Sequence, residues 1–335
     1  MPTVSVRDVA RHAGVSVGTV SNVMNRPEKV SAAVVERVQA AISTLGFVRN
    51  DAARQLRVGR STTIGLIVLD VRNPFFTEVA RGAEDTAAEH GFTVMLGNSD
   101  ENTAREADYL DLFEEQRVHG VLISPYDDIT ERLRRLRARG TPAVLVDRTS
   151  GDRSFSSVSV DDFAGGRLAT EHLLGRGHRR IAFVGGPFGI RQVIDRHAGA
   201  QAAVDDCPGA ALEVIVLTAL SVIAGRQAGH EIAMREASDR PEAIFAANDL
   251  VAMGVLQALM MQGVGVRVPE DIALIGYDDI DFASAAVVPL SSIRQPSALI
   301  GKTAVEILLE EAVDPTLDAR HIVFQPELVV RESTG

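Results

Sequence analysis

The sequence predicts a small all-α helix-turn-helix headpiece followed by a larger α/β body of two doubly wound parallel-sheet lobes. Three observations carry that prediction. The stretch VRDVARHAGVSVGTVSNVMN, Val6 to Asn25, has a helical periodicity that breaks in its middle. From Thr62 onward short apolar runs alternate with amphipathic segments, and the same rhythm restarts at RIAFVGG. Charge is divided in the same way. Residues 1–60 carry nine Lys and Arg against four acids and the remainder 25 against 41, so a basic head precedes an acidic body in a chain of net charge −11. A length of 335 residues exceeds one comfortable core and fits that division.

In the headpiece, Val6, Val9, Ala10 and Ala13 share one helix face, and Gly14 interrupts it where a tight turn needs positive φ. Ser16 is placed to cap a second helix over about Val17 to Met24, which would present Val17, Gly18, Ser21 and Asn22 to a major groove. A third helix is expected over Ala32 to Leu45, started by Ser31 and stopped by Gly46, with Val34, Val38, Ala41, Ile42 and Leu45 as its buried stripe. Three helices in so short a span suit a DNA-reading unit, although the first two alone also read as an ordinary αα-hairpin. The following RNDAARQL has helix formers but too few apolar residues to bury a face, so it is expected to order only on a partner. Leu56, beside Arg54 and Arg57, suits a wedge between minor-groove base steps, or a linker leucine packed on its own domain.

In the body, TIGLIVLD, FTVMLGN, GVLISP and PAVLVD read as strands, with helices over about Thr77 to Glu89, Arg105 to Gln116 and Ile129 to Arg139. The second series is RIAFVGG, LEVIVLT, AIFAAND and IALIGYDD. Ligands of such sheets sit at the carboxyl ends of the strands, where Asp70, Asp147, Asn248, Asp249 and Asp278 fall. Their convergence points to a small polar ligand, while each alone also suits a helix cap.

Several function classes fit poorly. The single cysteine, Cys207, offers neither a disulfide framework nor a metal cluster, and the eight histidines show no metal-ligand spacing. IGKTA resembles the end of a phosphate-binding loop, but Pro296 stands where that loop needs a glycine. GGPFG fails the dinucleotide spacing, and no serine sits in a nucleophile elbow. No enzyme, metal or cofactor is therefore expected. No apolar run reaches membrane-spanning length and no leader pattern opens the chain, so a cytoplasmic protein with no membrane partner is expected. A two-lobed sugar-binding transport protein would share the body's architecture but would need export.

Headpiece, linker and body together resemble the LacI/GalR family of bacterial transcription regulators. The motifs run from Val4 to Gly335 and include DVARHAGVSVGTVSNVMN, AARQLRVGRSTTIGLIV, NPFFTEVARGAEDTA, GHRRIAFVGGP, AIFAANDLVAMGVLQAL, SSIRQP and PELVVREST. The resemblance implies a headpiece at 1–48, a hinge helix or linker at 49–60 and an effector-binding and dimerisation domain at 61–335 of periplasmic-binding-protein-like build. Its lobes would comprise about 61–161 with 292–322, and about 162–291 with 323–335.

It further implies a homodimer that reads a palindromic double-stranded DNA operator. By that carry-over Val17, Gly18 and Asn22 read bases, while Ser16, Thr19, Ser21 and Asn25 position the backbone. Asn50, Ala53, Leu56 and Arg57 would make the hinge contacts, with Leu56 as the central wedge. Val17 and Gly18 lack side-chain donors, so readout there would rest on thymine methyls or backbone fit. In the body, Phe75 and Phe76 would stack on a small-molecule effector, Asp147, Asp161, Asn248 and Asp278 would hydrogen-bond its polar edge, and Arg196 would reach in from the second lobe. That set suits a sugar, and a purine or other metabolite could use the same groups. Ala200 stands where many relatives carry an aromatic residue. The implied function is a repressor whose operator affinity an effector controls; the alternative is a two-lobed sugar-binding protein without a transcription role.

Overall fold

A computed structural model describes residues 4–47, 61–149, 154–261 and 265–335. The chain divides into two compact units, residues 1–60 and 61–335. The expected hinge residues Asn50, Ala53, Leu56 and Arg57 lie outside the described residues.

The first unit contains α1 (Val6–Ala13), α2 (Val17–Asn25) and α3 (Ala32–Leu45). Ahead of α1, the Asp8 carboxylate accepts from both the main-chain N–H and the hydroxyl of Ser5, satisfying a donor that the first turn leaves open. Gly14 closes α1 at φ 64°, a conformation that costs other residues more, and the Val15 N–H returns to the Ala10 carbonyl. Val9, Ala10, Ala13, Val20, Val23, Val38 and Ala41 form the core of this unit. Of the stripe expected on α3, Val38 and Ala41 are buried and Val34, Ile42 and Leu45 pack partly buried around them.

In the second unit each lobe is a six-stranded sheet. The first lobe runs through β1 (Thr63–Val68), α4 (Pro74–Glu89), β2 (Thr93–Asn98), α5 (Thr103–Glu115), β3 (Val121–Ile123), α6 (Thr130–Ala138), β4 (Ala143–Val146) and β5 (Ser157–Val160). The chain then crosses into the second lobe through α7 (Asp162–Gly175), β6 (Arg180–Gly185), α8 (Arg191–Asp205), β7 (Ala211–Val216), α9 (Val222–Ala233), β8 (Ala243–Ala246), α10 (Asp249–Leu259), β9 (Ala273–Asp278), the short α11 (Asp281–Ser284) and β10 (Ser291–Arg294). It returns through α12 (Ser297–Val313) and β11 (His321–Phe324) and crosses once more to β12 (Glu327–Val329). The strand orders are β11-β5-β4-β3-β1-β2 and β12-β10-β9-β8-β6-β7, parallel except for β12 against β10. Register places Thr63 beside Thr93 in the first lobe and Arg180 beside Ala211 in the second.

Two expected lobe boundaries move. β10 pairs with β9, so 292–294 belong to the second lobe, and β11 pairs along its whole length with β5, so 323 and 324 belong to the first. The reason is that the crossovers fall between elements, at 295–296 and 325–326, and not within strands. α12 docks on α4 through paired glycines: a Cβ on Gly82 would lie 2.0 Å from the Ala298 carbonyl oxygen, and one on Gly301 would lie 1.9 Å from that of Val79. Gly301, the glycine of IGKTA, therefore serves helix contact in mid-helix. Among the described residues, no helix is long and apolar enough to cross a membrane.

Candidate ligand cleft and nucleic-acid interface

The two lobes face each other across a cleft at the carboxyl ends of their strands. Leu69, Asp70, Asn73, Phe75, Phe76, Glu101 and Asp147 line it from the first lobe, and Ile190, Gln192, Arg196, Leu220, Asn248 and Asp278 from the second. The free space left between them is about 40 Å³, so the walls are in near contact.

From the first lobe, Asn73 caps α4 by accepting the Phe75 N–H (3.1 Å), and Pro74 occupies the first helical turn where its missing N–H costs nothing. This start holds Phe75 and Phe76 against the cleft, their rings edge to face at 5.0 Å. Asp147 follows β4 at φ 56°, in the region that Asp tolerates better than most residues. From the second lobe, α8 crosses α7 so closely that a Cβ on Gly166 would lie 2.0 Å from the Arg196 carbonyl oxygen. That contact brings the Arg196 side chain to the cleft. Its Nε donates to Asp162 (2.8 Å), one Nη donates to the Ala247 carbonyl (2.8 Å) and stands 3.7 Å from Asp278, and its guanidinium lies 3.6 Å from the centre of the Tyr277 ring.

Hydrogen bonds join the lobes directly. Asn73 donates to Asp278 (2.9 Å), which also accepts from Gln295 (2.8 Å), and Gln192 donates to the Asp147 carboxylate (2.8 Å) and main-chain carbonyl. Burial raises the pKa of Asp147 well above the carboxylate range, with Asp162 and Asp278 adding to the effect against Arg196. Burial raises Asp278 too, against Arg196 and the Asn73 and Gln295 hydrogen bonds, and it raises Asp162 against its Arg196 partner. For Arg196 burial disfavours the charge, yet Asp162, Tyr277 and Asp278 hold its pKa above the ordinary value. Three buried carboxylates thus share one guanidinium, and one oxygen of Asp147 has no hydrogen-bond partner among the described residues.

The structure brings Phe75, Phe76, Asp147, Arg196, Asn248 and Asp278 together in the cleft lining. Asp161 is a correction. Its carboxylate caps α7 by accepting the Ala164 N–H (2.9 Å), and the residue does not line the cleft. The neighbouring Asp162 is the one that meets Arg196. Asn248 caps α10 with its side-chain oxygen, accepting the Val251 N–H (3.0 Å), which leaves its amide nitrogen as the donor it can offer. Asn73, Gln295 and Asp162 were not singled out by sequence, because each acts through a partner distant in the chain. Asp249, a strand-end candidate, is structural: it accepts from the Ser292 hydroxyl (2.7 Å) and the Ile280 N–H (2.9 Å).

A larger hollow of about 680 Å³ lies beside α6, with Arg134, Arg148 and Arg191 in its wall. Those cations are engaged already, Arg148 by the Pro125 carbonyl (3.0 Å), Arg191 by Asp195 (2.8 Å) and Arg134 by Glu131.

In the first unit, α2 buries Val20 and Val23 and turns Val17, Gly18, Asn22 and Asn25 outward, with Thr19 and Ser21 half-buried beside them. Ser16 accepts the Thr19 N–H (3.0 Å) and its hydroxyl meets that of Thr19 (2.9 Å), while Asn25 donates to the Ser21 carbonyl (2.8 Å). The face is uncharged, with an exposed valine methyl pair and short polar groups, a surface suited to groove edges.

Comparison with known proteins follows the same division. Residues 5–50 match the model of bacterial regulatory proteins, lacI family, and residues 170–334 that of the periplasmic binding protein-like domain. The HTH-type transcriptional repressor PurR of Photobacterium profundum is 36% identical over 339 residues, with 98% of each chain covered. Among solved structures, the lac repressor dimer bound to operator and the anti-inducer ONPF is similar with a TM-score of 0.83 and 28% identity over 99% of each chain. A LacI family regulator of Enterococcus faecium with bound ribose has a TM-score of 0.74 and 30% identity, covering 82% of this chain and 98% of that one.

Proposed function

The chain belongs to the lacI family of bacterial regulatory proteins, and from that premise we propose that it is a transcriptional repressor whose operator affinity is set by a sugar bound between its lobes. One observation carries the effector half of this reading. Aromatic rings at Phe75 and Phe76 and hydrogen-bonding groups at Asp147, Asn248 and Asp278 line one cleft, the combination that takes the apolar faces and hydroxyl edges of a sugar. Cross-lobe bonds from Asn73 and Gln192 give a ligand something to replace, so its differential affinity for one lobe arrangement can shift the equilibrium. The ribose bound to the Enterococcus faecium regulator supports the sugar class.

On the DNA side, Val17, Gly18 and Asn22 read a palindromic site in the major groove, and Ser16, Thr19, Ser21 and Asn25 fix the register of the helix on the backbone. Asn50, Ala53, Leu56 and Arg57 make the minor-groove contacts, by family resemblance. The active species is a homodimer without catalytic activity, acting in the cytoplasm. The sheet edges β2 and β7 support association, since they expose Met95, Leu96, Val214 and Val216. Selection of bound sequences from random duplex DNA, with and without D-ribose, tests the proposal. A palindromic site whose recovery changes with the sugar is expected; bound DNA without any shared site would overturn it. Leu56→Ala is expected to weaken binding to the selected site without unfolding the body.

A further inference from the structure

Asp70, Asp100 and Glu101 stand together where β1 and β2 end, yet they differ in what they touch. Arg72 donates to Asp70 (2.8 Å) and to Asp100 (2.8 Å), and Arg105 holds Asp100 from another side (2.9 Å). The Glu101 side chain, half-buried in the cleft lining, makes no hydrogen bond or ion pair among the described residues. Its main chain is fixed: the N–H donates to the Leu69 carbonyl (3.2 Å), and φ is 54°, after 53° at Asp100. Two consecutive non-glycine residues in the left-handed region hold an unfavourable backbone that presents this carboxylate to the cleft.

A second observation points to a ligand. One carboxylate oxygen of Asp147, a residue only 3% exposed and in the same lining, has no hydrogen-bond partner among the described residues. It calls for a donor. The buried guanidinium of the cleft, Arg196, already donates to Asp162 and the Ala247 carbonyl and stands 3.7 Å from Asp278, so neighbouring carboxylates offset its charge before any anion enters. Burial, with Asp70 and Asp100, raises the pKa of Glu101, and only Arg72 opposes this.

We propose that the cleft selects uncharged, hydroxyl-rich ligands over their phosphorylated forms, and that Glu101 sets this preference by accepting a ligand hydroxyl where a phosphate would be repelled. The inference rests on reading the cleft as the effector site, but its electrostatic content can be measured with no effector present. Cys207 is the sole cysteine, so Cys207→Ser with Leu220→Cys places one thiol at the half-buried Leu220 position of the cleft. Neutral iodoacetamide is expected to outpace anionic iodoacetate there by about fivefold more than on a free cysteine peptide, and Glu101→Gln should remove most of that excess. An unchanged ratio in Glu101→Gln would overturn the proposal.

A second measurement uses the full chain with its natural cysteine. D-ribose should raise Tm more than D-ribose 5-phosphate does, with the gap narrowed in Glu101→Gln. A phosphate ester that stabilises the unsubstituted protein as well as ribose does would also overturn the proposal. Should neither sugar bind while alkylation still depends on Glu101, the ribose reading fails and the charge selection stands.

Discussion

On α2 the polar side chains bond within three or four residues, Ser16 with Thr19 and Asn25 with Ser21, whereas in the cleft Asn73 reaches Asp278, 205 residues away, and Gln192 reaches Asp147, 45 residues back. The reading face of the headpiece is thus a property of one helix and its cap. The cleft is a property of how two lobes meet. A ligand that alters the lobe arrangement can remake the second without touching the internal bonds of the first, which is the separation a switchable DNA-binding protein needs.

The largest expected break in this comparison comes from the body's packing. Gly301→Ala would force a Cβ to within 1.9 Å of the Val79 carbonyl oxygen, and overpacking of this kind costs about 1–3 kcal/mol or more. All three tyrosines and no tryptophan lie in the body, so tyrosine fluorescence in urea reads its unfolding alone, and a lower midpoint is expected. Asp278→Asn should follow. It removes the charge beside Arg196 and is expected to weaken sugar binding at least about tenfold, roughly 1.4 kcal/mol, while binding to a selected DNA site is kept. Ser16→Ala should do the reverse, costing about 1 kcal/mol of α2 stability and weakening DNA binding with sugar affinity unchanged.

The smallest effect sharpens the role of burial. Asp147→Asn keeps the shape and tolerates φ 56° but removes a buried carboxylate. Because the folded-state pKa of Asp147 is raised, the folded protein binds the proton more tightly than the unfolded chain, so wild-type stability falls as pH rises through the interval above the ordinary carboxylate value. The variant lacks that loss. Its Tm is expected to exceed the wild type by roughly 2–4 °C at neutral pH, with the difference vanishing toward about pH 4.

Legibility in the sequence follows the same line between local and distant partners. Gly14, Ser16 and the bounds of α3 were readable because caps and turns are decided by adjacent residues. The strands β1–β4 and β6–β9 showed as apolar runs. β5 and β10 did not, since SVSV and SSIR bury serines, two of which meet partners far along the chain: Ser157 meets His321 (3.0 Å), and Ser292 meets Asp249. Without those partners such segments read as polar loops. The strand-end aspartates Asp147 and Asp278 were visible for a related reason, as they follow apolar runs directly. Asp162 was missed in favour of Asp161 because a helix cap and the partner of Arg196 one position apart differ only in what α8 brings opposite them.

Binding of a small neutral sugar between the lobes on Asp278 and its neighbours is read by thermal unfolding of the full chain and of Asp278→Asn with a panel of sugars at millimolar concentration. At about a hundred times its Kd a ligand stabilises the fold by about 2.7 kcal/mol, so one sugar should raise Tm by several degrees in the wild type and fail to do so in the variant. No shift with any sugar, or an equal shift in both proteins, would rule out sugar binding on Asp278.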